Sequence, residues 1–129
     1  MKTEIIVPTY NNEEYTKKCF ETIRKHTPEK DYRLWWMDNG STRESCEFVL
    51  PEFSKHKNKI GIWASENLGF VKGVNNALKL IFEVYGTDAQ YIILQNNDTE
   101  VTKKWIEPMY SILENDSKIG MVSPVTKWQ

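Results

Sequence analysis

The chain predicts an α/β protein: a mostly parallel sheet with helices on both faces, three layers deep. Short, nearly continuous apolar runs rich in β-branched and aromatic residues recur at 4–8 (EIIVP), 33–37 (RLWWM), 59–64 (KIGIWA) and 91–94 (YIIL). Such runs suit strands covered on both faces rather than on one. Segments with helical spacing separate them, and the alternation of strand and helix predicts layers of helix packed on a sheet. A third observation bears on function: a cluster of polar residues follows every one of these runs.

After the first strand, Tyr15, Cys19 and Ile23 repeat every four residues and Phe20 widens the stripe, which predicts a helix over 13–26. Asn11 with Glu14 resembles a capping box, and Glu13 and Glu14 suit the positive helix start. After the second strand, Ser41 with Glu44 gives a second capping box for a short helix at 42–49, with Pro51 marking its end. The third helix, 70–85, carries Phe70, Val71, Val74, Ala77, Leu78, Ile81, Phe82 and Tyr85 on one broad stripe, closed by Gly86. The last, near 103–115, has Trp105, Met109, Ile112 and Leu113 on one side, and Pro108 predicts a kink or restart within it. A weaker apolar run at 119–125 (IGMVSPV) predicts a fifth strand. That strand would stop with an open edge, which invites association with a second copy.

The 129 residues fit one domain, 40% hydrophobic and 27% charged with a net charge of −1, an ordinary composition for a globular chain. The interspersed charges give no footprint for nucleic acid. No apolar run approaches the 18 or so residues of a membrane span. The opening MKTEIIVPTY is too weakly apolar for a signal peptide, which predicts a cytoplasmic chain, at most peripheral to a membrane in a longer protein. Cys19 and Cys46 lack metal-site spacing and predict reduced thiols, Cys19 as a small core residue. His26 and His56 lie among lysines and are expected to be exposed.

In a parallel sheet the four polar clusters share one edge, at the carboxyl ends of the strands. They are Pro8-Thr9-Tyr10-Asn11, Asp38-Asn39-Gly40-Ser41-Thr42, Glu66-Asn67-Leu68-Gly69 and Gln95-Asn96-Asn97-Asp98-Thr99. That edge is where open α/β sheets bind ligands, and helix starts there favour anions. Each cluster alone is ordinary cap and turn chemistry; four on one edge point to a site. Tyr10 suits stacking on a base, Asp38 suits accepting an N–H, and the amides suit ribose hydroxyls. A lone carboxylate among amides, Asp98, suits a hard cation on phosphate oxygens. Neither GxGxxG nor GxxxxGK[ST] occurs in these clusters, which argues against a dinucleotide fold or P-loop.

Four stretches, IIVPTYNNEEYTKKCFETI, WWMDNGSTRES, ENLGFVKGVNNALK and YIILQNNDTEVTKKWIEPM, together resemble the N-terminal half of family 2 glycosyltransferases. The resemblance covers the whole chain and implies the GT-A fold; the combination looks most like the rhamnosyltransferase-like branch. It implies that 1–129 is the part that binds a nucleotide-sugar donor, UDP- or dTDP-linked, with the acceptor-binding half and its general base beyond Gln129. Pro8, Thr9, Tyr10 and Asn11 match the first nucleotide-binding loop. Asp38, with Asn39 beside it, matches the carboxylate that reads a pyrimidine N–H. Asn67, Gly69, Gly73 and Asn75 match the segment over ribose and diphosphate. Asn96-Asn97-Asp98 stands where the family carries its DXD motif, with Asp98 the ligand for Mn²⁺ or Mg²⁺ and an amide, Asn96, in place of the first carboxylate. The implied reaction transfers the sugar, with inversion, to the hydroxyl of a glycan or lipid-linked glycan. A non-catalytic nucleotide-binding module is the alternative. A sugar-nucleotidyltransferase is disfavoured, because VPTYNNEEY lacks a Gly- and Arg/Lys-rich phosphate loop.

Overall fold

A computed structural model describes residues 1–125. Four strands, β1 (Thr3–Thr9), β2 (Tyr32–Asp38), β3 (Lys59–Trp63) and β4 (Tyr91–Leu94), form one all-parallel sheet in the order β3-β2-β1-β4. The helices are α1 (Glu13–His26), α2 (Arg43–Ser54), α3 (Gly69–Lys79) and α4 (Glu107–Asn115). α1 and α2 cover one face, where Ile5, Val7, Phe20, Ile23, Leu34, Trp36 and Phe53 are buried together. α3 covers the other over Ile6, Trp35, Ala77 and Ile81. The central strands β1 and β2 are buried almost throughout, as their continuous apolar runs require. The edge strands are not: on the α3 side of β4, Ile92 and Leu94 remain 39% and 51% exposed.

Several local expectations are corrected. α1 buries Thr16, Cys19, Phe20 and Ile23; Tyr15 sits beside that stripe and is exposed. α2 runs through Pro51 to Ser54. Val49 and Phe53, one turn apart, both enter the core, and that burial outweighs the one backbone donor that proline removes. Its N-cap is Thr42, whose Oγ1 accepts from the Ser45 amide at 3.2 Å, so Ser41 is free for another partner. The stripe over 70–85 is helical but changes pitch, α3 giving way to a π-helical turn at Leu80–Tyr85. There Tyr85 meets Trp35 edge-on at 5.5 Å and Arg33 donates to the Gly86 carbonyl. Pro108 lies in the first turn of α4, where its missing N–H costs nothing. Residues 119–125 form no strand, and an association through a fifth strand has nothing to rest on there; 126–129 lie outside the described residues.

His56 is also corrected. It is 1% exposed, packed between Phe20 and Tyr32, with Tyr32 Oη 2.6 Å from its Nδ1. His26 is half-buried. Burial pulls His56 down from 6.5 to about 4, against the pull of Glu52 and with Arg24 and Lys59 helping. The native chain thus binds fewer protons here than the unfolded chain below pH 6.5. Stability should be full above about 6.5 and fall by on the order of 2 kcal/mol by pH 5. Urea midpoints between pH 7.5 and 5 check this, and His56→Gln should flatten the slope. An unchanged slope in that variant would remove His56 as its source. Glu52, bonded to Arg24 and Lys55, is held below its ordinary 4.5 and adds acid sensitivity of the same sign only at lower pH.

Candidate functional site

The first two polar clusters are latched together. Asn11 and Asn12 both take left-handed backbone angles, φ 50° and 54°, which asparagine tolerates better than most residues. Asn11 is not the helix cap. Its amide donates to Ser41 Oγ at 2.7 Å, and its Oδ1 accepts from the Thr42 amide at 3.1 Å. Asp38 is 2% exposed. Its Oδ1 accepts from Thr9 Oγ1 at 2.8 Å and Ser41 Oγ at 2.5 Å, and its Oδ2 from the Ser41 amide at 2.9 Å. Trp36 Nε1 in turn donates to Thr9 Oγ1 at 2.9 Å. The carboxylate expected to face a ligand is thus largely spent on fixing loops. Burial, with the Asp38 carboxylate beside it, pushes the Cys46 thiol up to about 11, so this cysteine stays protonated.

The third cluster closes on the second. Gly40 has φ 82°, and a methyl group there would lie 2.8 Å from the Glu66 carbonyl carbon and 2.9 Å from its Cα. Asn39 is 4% exposed and donates through Nδ2 to the Gly69 carbonyl at 3.3 Å. Its Oδ1 is buried without a partner among the described residues. Gly73 on α3 sits against this amide: a Cβ there would be 2.9–3.0 Å from Nδ2 and Oδ1. Asn67 Oδ1 accepts from the Gly69 amide at 2.8 Å, a turn that starts α3. Asn75 is exposed two residues beyond Gly73, roughly 200° around the helix, so it is not brought to Asn39. Tyr10 is half-exposed beside the latch.

The fourth cluster folds back onto α1. Asn97 Nδ2 donates to Thr16 Oγ1 at 3.1 Å, and the Asn96 carbonyl accepts from Thr99 Oγ1 at 2.7 Å and from the thiol of Cys19 at 3.6 Å. Burial pushes that thiol up to about 12, an inert core group. Asp98 is exposed, with no ion pair or hydrogen bond among the described residues. No group of three or more His, Cys, Asp or Glu able to hold a metal is found among the described residues. A hard cation takes six or more oxygens. The donor set therefore fits one only if phosphate and water oxygens fill most of the shell.

Pro8, Thr9, Tyr10, Asn11, Asp38, Asn39, Asn67, Gly69 and Gly73 thus share the β1, β2 and α3 side of the carboxyl edge, and Asn96, Asn97 and Asp98 flank them at the end of β4. Reading the sequence missed Ser41 and Trp36 as organisers. Ser41 passed for a helix cap, and nothing in the apolar run RLWWM marked one indole as a loop anchor.

The parallel sheet carries a polar, latched carboxyl edge with Asp98 at its β4 end, the edge at which open α/β sheets take their ligands. The model of Glycosyl transferase family 2 matches residues 4–128, and this chain belongs to that family. It is 28% identical over 121 residues to glycosyltransferase GlyA of Streptococcus pneumoniae, covering 93% of this chain and 16% of that protein. It is 26% identical over 124 residues to the poly(ribitol-phosphate) beta-glucosyltransferase of Bacillus spizizenii, 94% of this chain and 19% of that one. The crystal structure of residues 1–349 of Staphylococcus aureus TarS with UDP-GlcNAc superposes with a TM-score of 0.73 at 21% identity, over 89% of this chain and 32% of that one. The fold is therefore that of GT-A glycosyltransferases. The chain spans less than a third of the length of each of these proteins.

Proposed function

We propose that this chain is the donor-binding part of an enzyme that transfers a sugar from UDP- or dTDP-sugar to a glycan hydroxyl with help from Mn²⁺ or Mg²⁺. The observation that carries the reading is the buried, unpartnered Asn39 Oδ1 inside three latched loops. A buried acceptor left unpaired costs about 1–3 kcal/mol, and a pyrimidine base relieves it. Uracil and thymine offer an N3–H to Oδ1 and a carbonyl to Nδ2. Asp38, expected to read the base, is assigned a positioning role, because its oxygens already hold Thr9 and Ser41. Tyr10 supplies a ring to lie against the base.

Asp98, with Asn96 beside it, would hold the divalent cation, whose charge supports the departing nucleoside diphosphate. In the transfer itself the acceptor hydroxyl attacks the anomeric carbon, the bond to the diphosphate breaks, and a base takes the hydroxyl proton. Glu100, the other carboxylate of this turn, is exposed and is given no part in that step. Nothing in the names of the relatives above speaks of rhamnose. Two of them speak of glucosyl transfer to poly(ribitol-phosphate) and of a complex with UDP-GlcNAc, which supports a hexose on UDP as the first donor to try.

The test is calorimetric titration of UDP and dTDP with Mn²⁺ or EDTA. Asp98→Ala is expected to weaken metal-dependent binding at least tenfold and leave the EDTA isotherm unchanged; equal weakening in EDTA would remove Asp98 as the cation ligand. Gly73→Ala should push the Asn39 amide aside and weaken UDP about tenfold, near the value of one hydrogen bond to a buried group. Its melting temperature should stay close to that of the parent. If Gly73→Ala binds UDP as the parent does, Asn39 is not the base contact.

A further inference from the structure

A second site lies at the opposite edge of the sheet. The chain leaves β4, crosses the side of α1 and arrives at α4. Two hydrogen bonds fix this strap: the Val101 amide donates to Thr22 Oγ1 at 3.1 Å, and Trp105 Nε1 to Thr27 Oγ1 at 2.9 Å. The bond to Thr27 joins the end of α1 to the approach of α4 and closes a groove of about 490 Å³ lined by Lys25, His26, Thr27, Lys103, Lys104 and Glu107. Lys104 takes φ 55° on one wall. None of the three lysines is in an ion pair among the described residues, although the chain as a whole is slightly acidic.

The lysines of the α1 end are explained in part by the helix itself, since basic side chains suit its carboxyl terminus. That account does not reach Lys103 and Lys104. They come from the strap and stand beside the start of α4, which adds to the positive potential rather than offsetting it. Three like charges around one concavity raise the local positive potential, which favours an anion there. We propose that this groove holds a phosphate group of a soluble, phosphodiester-bearing chain. A flat anionic membrane meets protruding lysines. Here they border a shallow, open depression with a carboxylate, Glu107, on its lining, which suits a flexible chain laid across it. β1 has seven residues, so the groove lies roughly 20 Å from the donor edge. It would hold a remote part of a polymeric substrate, not the reacting hydroxyl. The groove's existence does not depend on the donor reading; its role in holding an acceptor does.

The experiment uses the 129-residue chain with short sodium polyphosphate as probe, read by calorimetry and by amide chemical shifts. Saturable binding is expected, with shifts at residues 25–28 and 103–107. The Lys25→Ala/Lys103→Ala/Lys104→Ala variant, altered only at exposed side chains, should bind at least tenfold more weakly. Glu107→Gln should bind about two- to threefold tighter, as a rim charge allows. Absence of binding, undiminished binding in the triple variant, or shifts centred on 9–11 and 39–41 would overturn the proposal. So would lysine-dependent binding seen only with phosphatidylglycerol vesicles, which would make the groove a membrane contact. A parallel UDP titration tests the donor reading alone, so the two can fail separately.

Discussion

Arg33→Ala is expected to destabilise the domain by about 3–5 kcal/mol, the cost of stranding a buried charge. Glu4 is 0% exposed on the α3 face of β1. Arg33, its neighbour in register on β2, reaches it through Nε at 3.0 Å and Nη2 at 2.5 Å, and Trp35 Nε1 donates to the same carboxylate at 2.5 Å. Arg33 also binds the Gly86 carbonyl at 2.9 Å and lies 5.1 Å from the Trp35 ring, so it ties the end of the π-helical turn to the sheet. Removing it leaves the Glu4 carboxyl group with one donor, Trp35 Nε1, in an apolar layer. Typical domains are stable by only about 5–15 kcal/mol, so the variant should show a large drop in urea midpoint or fail to fold. The double variant Glu4→Leu/Arg33→Met removes charge and partner together and should recover more than half of the loss. A drop below about 1 kcal/mol in Arg33→Ala would mean that Glu4 finds another partner or is not buried.

Gly40→Ala is expected to abolish nucleotide binding, by at least a hundredfold, while the sheet persists. The left-handed φ of 82° alone costs a side chain about 1–2 kcal/mol. The neighbours at 2.8 and 2.9 Å are backbone atoms of Glu66, which cannot rotate away as a side chain tip would. The second and third loops must therefore separate. That disturbs the bonds that Ser41 makes to Asp38 and receives from Asn11, and with them the Asn39 amide. Calorimetry with UDP and amide spectra of β1 and β2 check the two halves of this expectation. Retained UDP affinity would show that the loops need not touch.

The positions of the four strands along the chain were legible because their apolar runs are short, bounded by polar clusters and too weakly periodic to be helices; their order in the sheet, β3-β2-β1-β4, was not. The shared carboxyl edge followed from the parallel arrangement, which brings Tyr10, Asn39 and Asp98 to one end of the sheet. Side-chain assignments within the edge were less legible. Asp38 and Asn39 are adjacent, and only register decides which one turns inward to Thr9 and which faces Gly73. Ser41 and Asn11 satisfy the rules for a cap equally well whether they cap or latch. His56 misled because its sequence neighbours are lysines, whereas its contacts, Phe20 and Tyr32, lie 36 and 24 positions away. The open flank of β4 was not legible, since YIIL reads as covered on both faces while Ile92 and Leu94 are not.

Three indole N–H groups end on three different acceptors: Trp35 on Glu4, Trp36 on Thr9 and Trp105 on Thr27. Each resonates apart from the backbone amides and exchanges with solvent only when its own bond opens. The domain therefore carries a spectroscopic gauge at the buried ion pair, at the donor loops and at the lysine-lined groove. A nucleotide should slow deuterium uptake at Trp36 more than at Trp105, and polyphosphate at Trp105 more than at Trp36, while Trp35 slows only by the overall stabilisation each ligand gives. Trp35 should exchange only with unfolding of the whole chain.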